Sequence, residues 1–142
     1  ITQNIDGLHQ AAGSREVLEL HGSVRRNYCM KCGKRFSMED VLQSQGEFRC
    51  DCGGLVKPDV VLYEEALDQQ ILERSVAHIR RAELLIVAGT SLTVYPAASL
   101  LDFLRGKLIL INRAKTGREG WADLFIQGDV GQTLDKIQVK TP

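Results

Sequence analysis

Four cysteines constrain this chain more than any other feature. Cys29 and Cys32 are separated by two residues, seventeen residues follow, and Cys50 and Cys52 form a second, tighter pair. Glycine lies beside each pair, with Gly33 after the first and Gly53-Gly54 after the second. Thiolates so spaced can surround one tetrahedral Zn²⁺, and tight glycine turns let backbone N–H groups point at the sulfurs and offset their charge. Two other readings compete: a pair of disulfides, for which four cysteines allow three connectivities, and four reduced core thiols. Nothing in the chain marks it for secretion, and in intracellular proteins such doublets are more often metal sites than disulfides. We therefore assign Cys29, Cys32, Cys50 and Cys52 to one zinc ion. Four cysteine ligands leave no open coordination position, so the metal is expected to be structural.

A chain of 142 residues, 44% of them hydrophobic, can bury one modest core with a cysteine-bound lobe beside it. Basic and acidic residues both number 18, for a formal net charge of zero. That balance gives no electrostatic case for a nucleic-acid or membrane partner. The longest apolar runs, Leu84-Leu85-Ile86-Val87-Ala88 and Leu108-Ile109-Leu110-Ile111, are far too short to span a bilayer, and no signal peptide is evident. A soluble, cytoplasmic protein is expected. The chain opens Ile1-Thr2-Gln3-Asn4, without methionine or polar lead-in, which reads as the end of a strand whose start has been cut away.

Periodicity gives an α/β plan. Val17-Leu18-Glu19-Leu20 alternates like a short strand and ends at His21-Gly22; the cysteine segment follows, and Pro58-Asp59 opens a β-rich run, Val60-Val61-Leu62-Tyr63. Residues 66–81 place Leu67, Ile71, Leu72, Val76 and Ile79 near a 3.6-residue period and read as an amphipathic helix. The run at 84–88 is typical of a parallel strand buried on both faces. Pro96 then opens a helix to about Leu104, residues 107–112 form another buried strand, residues 123–127 a last one, and residues 130–137 a closing helix. Strands alternating with helices imply a parallel sheet covered on both faces. The expected division is a Rossmann-like domain over 1–24 and 56–142, with an inserted zinc module over 25–55.

Parallel sheets bind ligands beyond the carboxyl ends of their strands, where small residues let N–H groups approach phosphate or ribose. Gly89-Thr90-Ser91 and Asn112 occupy two such ends, although Gly, Thr, Ser and Asn favour ordinary turns as well. No G-x-G-x-x-G occurs in the chain.

Together these pieces resemble one family. Thr2-Gln3-Asn4-Ile5-Asp6-Gly7-Leu8-His9, then His21-Gly22, the four cysteines, Lys57-Pro58-Asp59-Val60-Val61, Gly89-Thr90-Ser91-Leu92 and Asn112 occur in the order found in sirtuins, the NAD-dependent protein-lysine deacylases. The resemblance implies a Rossmann-like large domain, a small domain holding the zinc module, and NAD consumed as a co-substrate. His21 resembles the family's general base, which takes a proton from a ribose hydroxyl; histidine, ordinarily titrating near 6.5, suits that task. Gln3, Asn4 and Asp6 resemble the polar set around nicotinamide and ribose, although Asn-x-Asp-Gly is also a turn composition. Gly89, Thr90, Ser91, Asn112 and Val130 match further cofactor contacts. Val60, Val61 and Tyr63 match the surface that receives the acyl-lysine peptide, with backbone pairing supplying affinity. Many relatives have Phe-Gly-Glu where this chain has Tyr63-Glu64-Glu65; the added carboxylate can favour basic residues near the target lysine, or form a solvated acidic turn. His9 and His78 read as structural.

The implied reaction yields free lysine, nicotinamide and O-acyl-ADP-ribose. The family's glycine-rich phosphate loop precedes the octet and is absent here, so these residues alone are expected to be inactive. Two other classes remain: a sirtuin-fold ADP-ribosyltransferase using the same pocket with another acceptor, and a non-catalytic zinc-ribbon interaction module.

Overall fold

The computed structural model describes residues 1–138. It divides into two compact units, Ile1–Glu73 and the part from Arg74 onward. The expected boundary at residue 25 falls inside a strand, because β1 (Gly22–Cys29) runs unbroken from beside His21 to the first cysteine. The cysteine segment therefore shares a sheet with its flanks.

In the first unit β1 pairs antiparallel with β2 (Arg35–Ser37) on one side and β3 (Val56–Val60) on the other, in the order β2-β1-β3. The β1–β3 register is Gly22 to Val60 and Ser23 to Asp59, then jumps so that Asn27 faces Pro58. Val24, Arg25 and Arg26 thus have no backbone ladder partner on β3 and form a bulge. Pro58 has no N–H to donate, so the ladder loses a bond there in any case. The polar groups freed by the bulge are taken up locally: Arg25 N–H donates to buried Ser23 Oγ at 3.3 Å, and Asn27 Nδ2 donates to the Val24 carbonyl at 3.3 Å.

The alternation at 17–20 yields only a single parallel bridge, Thr2 to Glu19, rather than a strand. Val61 to Tyr63 likewise lie beyond β3, which ends at Val60. A short helix α1 (Leu8–Ala11) follows the octet, and α2 (Met38–Leu42), which the periodicity missed, has a capping box. Ser37 Oγ accepts the Asp40 N–H at 3.1 Å while Asp40 Oδ2 accepts the Ser37 N–H at 2.8 Å. The S-x-x-D spacing was the available signal.

Helix α3 (Gln69–Arg81) starts three residues later than expected, because Asp68 Oδ1 accepts the Ile71 N–H at 2.9 Å and caps it. In the second unit β4 (Leu84–Ala88), β5 (Lys107–Asn112) and β6 (Leu124–Gln127) pair parallel in that order. Leu108 and Leu110 pack with Leu92 and Leu101 into a core that Leu85, Val87 and Phe125 extend. The segment opened by Pro96 is a 3₁₀ helix, Ala97–Phe103, and α4 (Val130–Leu134) is shorter than its expected 130–137.

Among the described residues one face of the sheet is covered only in part, with Ile111 buried on it. Leu84, Ile86 and Leu124 share the face opposite that core and are 49%, 42% and 48% exposed. An apolar run records the absence of polar residues; it does not record what stands against each face, and β4 is an edge strand among the described residues.

Asp123 ties the start of β5 to that of β6. Its carboxylate accepts Lys107 Nζ at 2.7 Å and the Leu108 N–H at 2.9 Å, which together hold it below the usual carboxylate range against the effect of desolvation. A depressed carboxyl stabilises the fold above its unfolded pKa and loses that contribution as pH falls through the folded one. Asp123→Asn is therefore expected to lower the melting temperature at neutral pH. In thermal scans across pH, the difference from wild type closes below about pH 4.

Candidate functional site

The four cysteine sulfurs all lie within 4.8 Å of one another, with Cys29 to Cys52 at 3.5 Å and Cys32 to Cys50 at 3.7 Å. A disulfide needs about 2.05 Å, whereas a tetrahedron with Zn–S bonds of about 2.3 Å has sulfur–sulfur edges of about 3.8 Å. The donor set and its spacing fit zinc, and all four positions of the tetrahedron are filled by protein. Cys29 ends β1, while Cys50 sits in a turn closed by Gly53 N–H to the Cys50 carbonyl at 2.7 Å. Gly54 is needed for close approach: a Cβ there would stand 2.5 Å from Cys29 Sγ.

Backbone donors meet the sulfurs, as the glycine turns suggested. The Lys31 N–H lies 3.4 Å from Cys29 Sγ. Desolvation resists ionisation of Cys29, yet the N–H groups of Cys32 and Lys31 and the Cys52 thiol bring it down to about 6. The Lys34 N–H draws Cys32 in the same direction, but its sulfur neighbours push that thiol up to about 12. Metal binding requires thiolates, so a bound cation displaces the thiol protons. Outside the cluster the lobe has little core, chiefly an edge-to-face pair of Phe36 and Phe48 with centroids 5.0 Å apart.

At the other end of β1 stands His21, half-buried. Its Nδ1 is 2.9 Å from the Gln3 carbonyl oxygen. A carbonyl only accepts, so Nδ1 carries the hydrogen, and in the neutral ring Nε2 is the basic nitrogen. The backbone around it is pinned on both sides: Leu20 N–H donates to the Thr2 carbonyl at 2.9 Å, and Val61 N–H donates to the His21 carbonyl at 3.1 Å. Gly22 makes this possible, with φ +75° and no room for a side chain, since a Cβ would stand 2.0 Å from the Asp59 carbonyl oxygen.

The bulge of β1 carries the octet. Val24 N–H donates to the Ile5 carbonyl at 3.0 Å and Arg25 Nε to the Asp6 carbonyl at 3.2 Å. Asp6 Oδ1 accepts the Leu8 N–H at 2.9 Å, so the turn reading holds for that side chain. Asn4, exposed, donates its N–H to Thr2 Oγ1 at 3.1 Å. The structure thus joins Gln3, His21 and Val61 directly, with Asn4 and Asp6 one turn away in sequence.

Val60 ends β3, an edge strand among the described residues, and Tyr63 beyond it is fully exposed. Glu64, at the position of the glycine in Phe-Gly-Glu, retains a left-handed backbone with φ +71°. Glu65 holds the turn: its carboxylate accepts the Leu62 N–H at 2.9 Å and Lys57 Nζ at 2.6 Å, which lowers its pKa and raises that of Lys57.

In the second unit the carboxyl ends of the strands converge. Gly89 N–H donates to the Ile111 carbonyl at 3.1 Å, Gly128 N–H to the Asn112 carbonyl at 3.0 Å, and a Cβ on Gly89 would touch Val130 Cγ2 at 3.7 Å. Gly89, Asn112 and Val130 therefore lie together. Thr90 Oγ1 accepts the Leu92 N–H at 3.2 Å, and the Ser91 and Thr93 hydroxyls are 2.7 Å apart. Leu92, buried, has φ +55°, an unusual backbone for a leucine and a second signal that periodicity could not give. Hydroxyls and an amide are donor types that suit ribose and phosphate, while the Gly89 N–H is already taken by the Ile111 carbonyl.

The sequence pattern of the Sir2 family matches residues 1–96. The chain belongs to the Sir2 family. Two curated relatives, both named NAD-dependent protein deacetylase, come from Clostridium acetobutylicum, 56% identical over 140 residues, and Cutibacterium acnes, 55% identical over 139. These matches cover 96% and 97% of this chain, which spans 57% of the length of each relative. A solved Sir2 bound to acetylated peptide is 40% identical, with a TM-score of 0.88 over 95% of this chain and 60% of that one. A Sir2 with p53 peptide and NAD⁺ is 41% identical, with a TM-score of 0.88 over 95% and 59%. The Sir2 fold at this level of identity covers both units and includes the cysteine lobe. Among the described residues no helix is long and apolar enough to cross a membrane.

Elemental analysis should find about one zinc per chain, lost on acidification as the thiolates protonate. Cys50→Ala is expected to abolish that stoichiometry and lower the melting temperature, whereas a metal-free variant melting like wild type would count against the site. For the turn after β3, Glu64→Gly should raise stability in urea unfolding by up to about 1 kcal/mol, since only glycine adopts the left-handed backbone without a steric cost.

Proposed function

We propose that this chain is the larger part of an NAD-consuming protein-lysine deacylase. The observation that carries the reading is the Gln3 carbonyl holding His21 Nδ1, because it leaves Nε2 as a basic nitrogen in a chain whose relatives are named deacetylases. NAD, when bound, supplies the ribose carbon that takes the acyl oxygen as nicotinamide departs, so that the acyl group ends on ADP-ribose. His21 Nε2 accepts the proton of a ribose hydroxyl, and the bond to Gln3 keeps the ring in the tautomer that can do so. Gln3, Asn4 and Asp6 offer amide and carboxylate groups to a carboxamide, while Gly89, Thr90, Ser91, Asn112 and Val130 bind ribose, phosphate and adenine.

The acyl-lysine peptide adds as a strand along the open edge of β3, with Val60 and Val61 against the lysine stem and Tyr63 at the rim. Backbone pairing of this kind gives affinity with little sequence preference. The zinc is structural and holds the far end of β1. Thiols arranged for a metal rather than oxidised suit a reducing compartment, and we assign the protein to the cytoplasm on that ground.

Incubating the full-length protein with NAD and an acetylated peptide, and weighing the products, tests this reading. O-acetyl-ADP-ribose is expected; protein gaining the mass of ADP-ribose would instead indicate a transferase, and no NAD turnover a binding module. His21→Ala should reduce deacylation by roughly 10²-fold or more while NAD still binds. Wild-type turnover in that variant would show that another group is the base.

A further inference from the structure

Glu19 lies two residues before His21, and its side chain is only 6% exposed. A carboxylate so buried is stable only if it is paired. Its partners come from two different segments: Arg26 Nη1 at 2.6 Å from Oε2, and Gln10 Nε2 at 3.0 Å from Oε1. The same guanidinium reaches β3, where Arg26 Nε is 3.1 Å from Asp59 Oδ2. One arginine on the bulge of β1 therefore joins the segment entering His21 to the neighbouring strand β3. Arg26 is itself 44% exposed, so its reach across this junction is made by its fork of donors rather than by burial.

The backbone shows what this junction controls. Glu19 is the residue bridged to Thr2, with Thr2 N–H to the Leu18 carbonyl at 2.8 Å and Leu20 N–H to the Thr2 carbonyl at 2.9 Å. The next residue along is Gln3, whose carbonyl sets the tautomer of His21. On the other side Asp59 is two residues from Val61, whose N–H holds the His21 carbonyl. We propose that Arg26 is a positioning residue for His21: by clamping Glu19 and Asp59 it holds the Gln3 carbonyl in line with Nδ1 and so keeps Nε2 available as the base. This deepens the deacylase reading and rests on it for the catalytic consequence, although the effect on the ring does not.

Without the guanidinium, Glu19 would be left buried with one neutral partner. The segment would shift to hydrate it, carrying the Thr2 bridge and the Gln3 carbonyl away from the ring. Arg26→Met keeps the aliphatic stem and removes the clamp, and Arg26→Lys keeps the charge without the fork. In the full-length protein we expect Arg26→Met to lower kcat for deacetylation roughly tenfold or more with the KM for NAD nearly unchanged, and Arg26→Lys to fall between. Independently of activity, ¹⁵N NMR of the histidine ring should show a single Nδ1-protonated neutral tautomer for His21 in the wild type and a mixture in Arg26→Met. Should Arg26→Met not fold, Glu19→Gln, which removes only the charge, is expected to show the same mixing. A wild-type tautomer signature in the folded variant overturns the proposal whatever happens to kcat. Failure of the wild-type protein to deacetylate counts against the functional reading alone, and the ring spectrum still decides the clamp.

Discussion

The antiparallel pairing of β1 with β3 is the interaction on which the rest of the first unit depends. One end of this ladder is the cysteine cluster, where Cys29 closes β1. The other end is His21, whose carbonyl is bonded to Val61 just past β3. Between the two, the register breaks at the bulge, and the residues so released reach the octet, Glu19 and Asp59. A metal held by the four cysteines would thus bear on the geometry around His21, because both sites are built on the same two strands.

This arrangement explains why the lobe can be poor in apolar core. Only Cys29 and Cys50 are buried among its larger hydrophobic residues, and the aromatic pair and surface ion pairs add modest terms. A small module with so little to bury relies on a staple, and four thiolates around zinc supply one. The second unit is built in the opposite way, with no staple and a continuous leucine core beneath parallel strands.

Much of this was legible beforehand, for reasons that differ by element. The cysteines announce their partners by spacing, and the strand at 107–112 coincides with β5 because a run of apolar residues between Lys107 and Asn112 has one reading at that length. The strand at 17–20 failed because alternation does not show whether a partner runs alongside, and only Thr2 does. Exposure of Leu84 and Ile86 was invisible for the same reason, since it depends on sheet order. At the site, His21 and the octet were carried by motif, whereas the atom that orients the ring is a main-chain carbonyl, and main-chain atoms are identical at every residue. Arg26 gave no signal, being one of several arginines on a polar stretch. Glu64 is intermediate: its departure from glycine could be read, but its keeping of glycine's backbone could not.

The seventeen residues between Cys32 and Cys50 are anchored at both ends by the same tetrahedron, and their middle is an exposed turn around Gln45 and Gly46. Lengthening a loop whose ends are already fixed adds little closure entropy, about 0.6 kcal/mol for each doubling. On either side of that turn the segment is tied to the ladder directly, by β2 pairing with β1 and by the Phe48 carbonyl accepting the Val56 N–H at 3.0 Å. That turn, rather than β2 or α2, is therefore where insertions can accumulate at least cost to the β1–β3 ladder, and a natural place for lineages, or a protein engineer, to graft new sequence.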